Sequence, residues 1–158
     1  MITIIQNAIS NDEIKELLDY WDSNIDKISR PTNLYSNYTA KYDGISLLDN
    51  LNDFTFLKRI RYSNYDKIRI QKVDNTIPMD GIPHTHRMPY TYVVFLNEEF
   101  DGGDLLFDNI RIKPKKGQLV YFNNLELHTV ENVTKGNRFT LVGFLNDNNF
   151  KPTGLNII

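Results

Sequence analysis

The 158-residue sequence contains no cysteine. This absence excludes disulfide bonds, thiolate-held iron–sulfur clusters and cysteine nucleophiles, and it is compatible with a reducing compartment. Histidine is scarce as well, because the chain has three: His84, His86 and His128. A metal site that uses imidazole ligands has to draw on these three residues.

Long apolar runs and blocks of one charge are also missing. The net charge is −2 and no basic stripe occurs, which argues against a nucleic-acid partner. No run approaches membrane-spanning length, and the start "MITIIQNAISNDEIKELL" lacks the basic region of a signal peptide. We therefore expect a cytoplasmic protein with neither a nucleic-acid nor a membrane partner.

Size and composition predict one folded domain spanning residues 1–158. The chain is 41% hydrophobic and 12% aromatic, which is typical of a packed globular protein, and it shows no internal repeat or linker. Within this domain we expect residues 1–65 to form a helical N-terminal support and residues 66–146 to form a β core.

Local signals place the N-terminal elements. "ITII" is typical of a short strand, and Ser10 followed by Glu13 has the form of a helix-capping box. "SLLDNLNDFTFLKRIRY" predicts a second helix, and the polar segment 30–42 predicts a loop. Apolar residues at helical spacing predict a buried stripe on the first helix: Ile14, Leu17, Leu18 and Trp21.

From about Asp66 the pattern changes to short strands. "DKIRIQKV" alternates polar and apolar residues, and "YTYVVFLN", "DLLF", "NIRIKP", "QLVYF", "LHTV" and "RFTLVGFL" follow between turn signals. We assign Gly102 and Gly103 to a turn, with Asp104 in a structural role. The fold class is therefore α+β, with helices first and a β-sandwich or barrel after them.

The histidines fall inside the β region. His84 and His86 are two residues apart in "GIPHTHRMPY", so on a strand their side chains point to the same face. His128 follows 42 residues after His86, beside another predicted strand. Two or three imidazoles suit Fe(II), Zn, Cu, Ni or Mn, whereas an isolated H-x-H is also compatible with ordinary core or surface histidines.

The order of motifs from His84 to Leu145 resembles the 2-oxoglutarate- and Fe(II)-dependent dioxygenases, in particular their prolyl-4-hydroxylase-like branch. "PHTH" stands at the family's H-x-D motif, and "YTYVVFLN" resembles the strand that ends in a Tyr-Leu-Asn-like signature. "FDGGDLLF", "IKPKKGQLVYF" and "LHTVENVTKGNRFTLVGFL" resemble the segments that follow. The resemblance implies a double-stranded β-helix, or jelly roll, with N-terminal supporting helices.

The resemblance also implies roles for particular residues. His84 and His128 would be iron ligands, and Arg138, ten residues after His128, would bind the far carboxylate of 2-oxoglutarate. Thr91 falls where some members place a hydroxyl near that carboxylate, although a threonine is equally ordinary in a strand. Phe95 stands where some relatives carry a tyrosine, so the hydrogen bond of that tyrosine would be absent.

His86 departs from the family pattern, which has a carboxylate at this position. We expect His86 to be the third ligand, so that His84, His86 and His128 form a three-histidine catalytic metal site. Two alternatives stay open: His86 points away while Asp80 or water fills the position, or the site has lost metal or activity. A neutral imidazole in place of a carboxylate leaves the metal more positive by one charge.

The resemblance implies an oxidoreductase that uses Fe(II), the cosubstrate 2-oxoglutarate and O2, with ascorbate as a further candidate. Oxidative decarboxylation to succinate and carbon dioxide would drive hydroxylation of a C–H bond in a peptide side chain or a small molecule.

Two other functional classes remain as alternatives. A cupin-type three-histidine metalloprotein would explain H-x-H, but Tyr90 replaces the glutamate that cupins place there. A catalytically inactive jelly-roll binding module would explain the altered triad.

Overall fold

A computed structural model describes residues 1–33, 38–39, 41–77 and 87–151, with the backbone alone at 32–33 and 38–39. Two α-helices occur in these ranges, α1 (Asn11–Ser23) and α2 (Thr55–Ile60), together with 3-10 helices at Ile25–Lys27 and Leu48–Asp53. The strands are β1 (Ile2–Ile5), β2 (Thr32–Asn33), β3 (Tyr38–Thr39), β4 (Asp43–Ser46), β5 (Tyr65–Val73), β6 (Tyr90–Phe95), β7 (Phe100–Gly102), β8 (Leu105–Phe107), β9 (Arg111–Ile112), β10 (Leu119–Asn123), β11 (His128–Val130), β12 (Val133–Gly136) and β13 (Arg138–Leu145).

The first helix begins as the sequence predicts. The Ser10 hydroxyl accepts from the backbone N–H of Glu13, and the Glu13 carboxylate accepts from the backbone N–H of Ser10, which completes the capping box. Ile14, Leu17 and Trp21 are buried and Leu18 is partly buried against the same cluster, so the predicted apolar stripe is confirmed. Arg59 of α2 donates to the Glu13 carboxylate from its Nε at 3.0 Å and from Nη2 at 2.9 Å, which ties the two helices together.

The predicted second helix is divided. A 3-10 helix (Leu48–Asp53) and α2 stand in its place, because Asn50 leaves the helical region at φ −126° and Phe54 is extended at φ −118°. The segment 30–42, predicted as a loop, contributes the two-residue strands β2 and β3. Residues 1–65 thus supply the expected helices and also two strands of the main sheet, β1 and β4.

A six-stranded antiparallel sheet forms the larger layer, in the order β1-β10-β6-β13-β5-β4. A second sheet has the order β11-β8-β9, and its side chains pack against one face of the large sheet, the inner face. Strand β12 pairs with β7. Neighbours in the large sheet are distant in sequence, as in a jelly roll, and the predicted fold class is confirmed. Within the described ranges, no helix is long and apolar enough to span a membrane.

The two faces of the large sheet bury different sets of side chains. Cross-strand partners share a face, so the pairing register separates the inner from the outer residues. The outer face packs against α1 and α2 in a cluster that includes Leu17, Trp21, Ile68, Ile70, Tyr92, Val94 and Leu141. The inner face and the second sheet enclose a separate cluster of Val93, Phe95, Leu105, Phe107, Ile112, Val120, Phe122, Val142 and Phe144.

Candidate active site

His128 opens β11 and lies at the inner cluster. It pairs with Phe107 of β8, its ring centroid lies 4.8 Å from that of Phe122, and the residue is 5% exposed. Its Nδ1 lies 2.8 Å from the carbonyl oxygen of Glu126, which can only accept, so Nδ1 carries the proton. The lone pair of the ring is then on Nε2, and a backbone-oriented imidazole of this kind is the usual state of a metal ligand.

Arg138 opens β13 on the same inner face. Thr140, two residues later, pairs with Phe95 and Gln71, and Arg138 pairs with Val73. The Arg138 Nε donates to the carbonyl of Gly103 at 2.9 Å, and its Cζ lies 5.3 Å from the centroid of the Phe95 ring. The guanidinium is therefore held in a fixed orientation by one hydrogen bond and one aromatic face.

The Arg138 charge is buried without a counter-ion among the described residues. The residue is 4% exposed and takes part in none of the ion pairs of these ranges. Burial lowers the pKa of the guanidinium to about 10, and the negative charge of Asp104 offsets part of that shift. A buried cation is costly unless an anion compensates it, so this position is suited to a bound carboxylate.

A second buried polar group adjoins Arg138 along the strand. The Thr140 hydroxyl is fully buried and has no hydrogen-bond partner among the described residues. Because residues i and i+2 of a strand share a face, Arg138 and Thr140 together offer a guanidinium and a hydroxyl to one ligand. The signal is present in the sequence as "RFT", an arginine and a threonine two residues apart on a strand, but Thr140 was not among the predicted site residues.

Thr91 and Asn124 hold together the chain segments that lead to the histidines. The Thr91 hydroxyl donates to Asn124 Oδ1 at 2.6 Å, and Asn124 Nδ2 donates to the Met88 carbonyl at 2.5 Å. The Asn124 backbone N–H also donates to the Pro89 carbonyl at 3.0 Å. Asn124 is four residues before His128, and Met88 is two after His86 in the sequence, so this contact joins the loop before β11 to the segment that leads into β6. The cosubstrate role of Thr91 stays a prediction.

The turn formed by Gly102 and Gly103 supplies the backbone carbonyl that accepts the hydrogen bond of Arg138. Gly102 and Gly103 have φ of +75° and +73°, which agrees with their assignment to a turn. A Cβ on Gly103 would lie 2.9 Å from the Arg138 Cδ, so glycine is required for the arginine to lie where it does. Asp104 accepts from Arg111 Nη1 at 3.0 Å, in keeping with the structural role predicted for it.

His84 and His86 lie outside the described residues, as does Asp80. Of the residues predicted for the site, the structure thus places His128, Arg138 and Thr91, all on elements that bound the inner cluster. Among the described residues no three His, Asp or Glu side chains form a metal-binding group, so the complete ligand set stays a prediction. The features that are described fit the implied groups: a buried imidazole with Nε2 as its basic nitrogen, and a buried cation that forms no ion pair among the described residues and lies beside a buried hydroxyl.

Comparison with known proteins identifies the family. The 2OG-Fe(II) oxygenase superfamily matches residues 63–146, which is more than half of the chain. This chain belongs to that superfamily. Membership implies Fe(II), 2-oxoglutarate and O2, in agreement with the sequence analysis, and it gives no support to the cupin interpretation. The matched region runs from just before β5 to the end of β13 and includes every residue predicted for the site.

Individual relatives agree with membership of this superfamily. A PKHD-type hydroxylase of Acinetobacter baylyi is 33% identical over an alignment of 86 positions, which covers 50% of this chain and 37% of that protein. The match thus spans little more than a third of that relative's length. An oxidoreductase of this superfamily from Burkholderia pseudomallei has a TM-score of 0.63 at 13% identity, covering 93% of this chain and 86% of that one.

A third similar structure is a prolyl hydroxylase from Trichoplax adhaerens in complex with a hypoxia inducible factor peptide fragment. Its TM-score is 0.62 at 16% identity, with 92% of this chain and 83% of that chain covered. At this identity the likeness shows the fold, and the double-stranded β-helix is confirmed. Because one fold hosts several reactions, the reaction has to be argued from the site.

Proposed function

We propose that this chain is an Fe(II)- and 2-oxoglutarate-dependent oxygenase that hydroxylates a C–H bond of a peptide side chain or of a small molecule. The observation that carries the proposal is the buried Arg138, which has no counter-ion among the described residues and adjoins the buried hydroxyl of Thr140. A planar guanidinium binds a carboxylate through two parallel hydrogen bonds. The dicarboxylate 2-oxoglutarate supplies the anion that this position requires.

In this proposal His84, His86 and His128 hold the metal, and His128 does so through Nε2. Arg138 and Thr140 bind the far carboxylate of 2-oxoglutarate, whereas the register places Thr91 four strand positions from Phe95, the partner of Thr140, so its cosubstrate role stays a prediction. Bound iron supplies oxygen activation, coupled to decarboxylation of 2-oxoglutarate to succinate and carbon dioxide. Phe95, Val93 and Val142 exclude water from the cosubstrate, which strengthens its interaction with Arg138.

A peptide substrate is supported by the relatives. The Trichoplax protein is a prolyl hydroxylase bound to a peptide fragment, and the Acinetobacter relative is a hydroxylase. A peptide side chain is therefore the first substrate class to test, with small molecules second. Cytoplasmic location stays a prediction.

The decisive experiment measures cosubstrate binding directly. Fe(II) is added anaerobically to the purified protein, 2-oxoglutarate is titrated, and the visible metal-to-ligand absorbance is recorded; succinate release is then measured in air. We expect wild type and Arg61→Gln, which changes an exposed arginine, to bind 2-oxoglutarate, and Arg138→Met to lose at least about tenfold in affinity. Absence of both iron and 2-oxoglutarate binding in the wild type would overturn the proposal.

A second experiment addresses His86. If His86 is the third ligand, His86→Ala weakens Fe(II) binding, whereas His86→Asp retains the metal and restores the charge of a carboxylate ligand. If His86 points away, neither change alters metal affinity. If the wild type binds iron and 2-oxoglutarate but releases no succinate, the protein is instead an inactive binding module.

A further inference from the structure

Arg69 is a second arginine on the inner face of the large sheet. It lies in the middle of β5, where it pairs with Val142 of β13 on one side and with Ser46 of β4 on the other. Val142 belongs to the inner cluster, and cross-strand partners share a face, so the Arg69 side chain points toward the inside of the jelly roll. None of the roles proposed above uses it.

Two aromatic rings hold the Arg69 guanidinium. Its Cζ lies 4.7 Å from the centroid of the Tyr42 ring and 5.3 Å from that of Phe144. Flat contacts of this kind orient a guanidinium without using its N–H groups. They leave the edge of the group, where the hydrogen-bond donors are, available to a ligand.

One donor of Arg69, its Nε, is not satisfied within the described residues. Its Nε is buried and has no hydrogen-bond partner there, and the residue takes part in none of the ion pairs of these ranges. Burial lowers the pKa of Arg69, and the charge of Asp66, together with that of the Tyr42 phenolate once it forms at high pH, offsets part of that shift. A desolvated guanidinium with an unpaired donor is stabilised most by an anion that accepts two hydrogen bonds.

The position of Arg69 relative to His128 points to a substrate rather than to the cosubstrate. The guanidinium reaches Phe144, which pairs with Thr91, and Thr91 pairs with Phe122, whose ring lies against His128. That row of the sheet begins at Lys67 and leads to the predicted metal ligand, and Arg69 contacts it through Phe144 from the neighbouring row of Val142.

Arg138 occupies a different part of the same face. Its partner on β5 is Val73, four residues beyond Arg69, and four residues of a strand span about 13 Å. The Arg138 guanidinium lies against Phe95 and that of Arg69 against Phe144, on rows of the sheet four residues apart, so one carboxylate does not contact both guanidinium groups.

We propose that Arg69 binds a carboxylate of the substrate, held at the open side of the metal site between Tyr42 and Phe144. This inference rests on the proposed oxygenase function. Lys67 lies two residues before Arg69, on the same face of β5 and exposed, so it adds positive charge where such a substrate enters. The substrate class is a carboxylate-bearing molecule: a free amino acid, or a peptide with an acidic side chain.

The test compares carboxylates with matched amides by calorimetry or ligand-detected NMR, in the full chain with saturating 2-oxoglutarate. The probes are N-acetyl-alanine and N-acetyl-alaninamide. Free alanine and the capped tripeptide acetyl-Ala-Glu-Ala-amide then distinguish an amino acid from an acidic side chain. We expect N-acetyl-alanine to bind at least about tenfold more tightly than its amide, and Arg69→Gln to abolish this preference.

Two matched variants make the result specific. Arg61→Gln removes an exposed arginine elsewhere, and Arg138→Gln removes the cosubstrate anchor; both should keep the preference for the carboxylate. Arg69→Lys, which keeps the charge but not the planar fork, should retain part of it, and it serves as the test variant if Arg69→Gln does not fold. A thermal melt of each variant establishes folding.

The inference is overturned if the carboxylate and amide probes bind alike to wild type, or if the preference survives in Arg69→Gln. It is equally overturned if the preference disappears in Arg138→Gln instead, since the probe would then occupy the cosubstrate position. Failure of the oxygenase proposal is a separate result, because it is measured as absence of Fe(II) and 2-oxoglutarate binding.

Discussion

The Thr91 hydroxyl donates a 2.6 Å hydrogen bond to the side-chain oxygen of Asn124, and both residues are buried. Through Asn124, this bond connects the start of β6 to the loop that leads to His128. Asn124 completes the connection with its hydrogen bonds to Met88 and Pro89. Strand β6 and the loop before β11 are thereby held in a fixed relation.

Thr91→Val should destabilise the protein by about 1–3 kcal/mol, because it leaves the buried oxygen of Asn124 without its donor. Thr91→Ser keeps the hydroxyl and should cost much less. Urea unfolding of the three proteins measures the difference, and equal stabilities would contradict it. If the 2-oxoglutarate Kd also rises in Thr91→Val and not in Thr91→Ser, the hydroxyl has the predicted cosubstrate role as well.

Gly103→Ala should weaken 2-oxoglutarate binding as well as stability. The new Cβ would meet the Arg138 Cδ at 2.9 Å, in a backbone conformation with φ +73° that costs a non-glycine residue about 1–2 kcal/mol. Gly117→Ala is the matched control, because its φ is +86° but its nearest contact is the Ile9 carbonyl at 3.3 Å. We expect both variants to melt earlier and only Gly103→Ala to raise the Kd for 2-oxoglutarate. An unchanged Kd in Gly103→Ala would mean that Arg138 tolerates displacement.

His128→Leu should abolish metal binding while leaving the fold intact. Leucine fills much of the imidazole volume beside Phe107 and Phe122, so no large cavity forms in the inner cluster. Loss of a ligand should weaken binding by more than the 10- to 100-fold that loss of an outer-shell partner costs. A competition titration of Fe(II) or Zn(II) against a chromophoric chelator measures this, and circular dichroism checks the fold. Wild-type metal affinity in the variant would remove His128 from the ligand set.

Stability should fall as the pH rises above about 10, because tyrosines are buried or partly buried in the cluster between the large sheet and the two helices. Burial, with a smaller contribution from Asp147, raises the pKa of Tyr62 to about 12, and burial also raises the pKa of Tyr65 and Tyr92. In the unfolded chain these groups ionise near pH 10, so above that pH the unfolded state loses protons that the folded state keeps. The contribution of these tyrosines to the free energy of unfolding is therefore constant below pH 10, and it decreases as the pH rises from 10 to 12.

Tyr65→Phe provides the check on that pH dependence. The Tyr65 and Tyr92 hydroxyls are 2.6 Å apart, so the variant should lose about 1–3 kcal/mol at pH 8 by leaving Tyr92 unpaired. Its decline above pH 10 should nevertheless be shallower, because one ionising group is gone. Denaturant unfolding at pH 8–11.5 measures both effects. Arg138 acts in the opposite sense, since its pKa is lowered, and a stability that rises overall with pH would contradict the tyrosine assignment.

Several features were predictable because they depend on residues close together in the chain. The capping box of Ser10 and Glu13 and the buried stripe of α1 follow from local spacing, and the long strands β5, β6 and β13 follow from their apolar and β-branched runs. Arg138 was predicted to bind the far carboxylate of 2-oxoglutarate from its place in the order of motifs. The second helix was predicted wrongly as a single element, because Asn50 and Phe54 interrupt it for reasons that periodicity does not reveal.

The sequence by itself determined the class of the protein: the order of motifs from His84 to Leu145 resembles the 2-oxoglutarate- and Fe(II)-dependent dioxygenases, and this resemblance implied a jelly-roll oxygenase. The tertiary structure decided which polar residues belong to its interior. Thr140, Asn124 and Arg69 acquire their roles through pairing with strands and loops 30 or more residues away, as Asn124 does with Thr91 and Arg69 with Val142. Such pairing depends on the register of the whole sheet, because a shift of one residue would turn every one of these side chains to the opposite face.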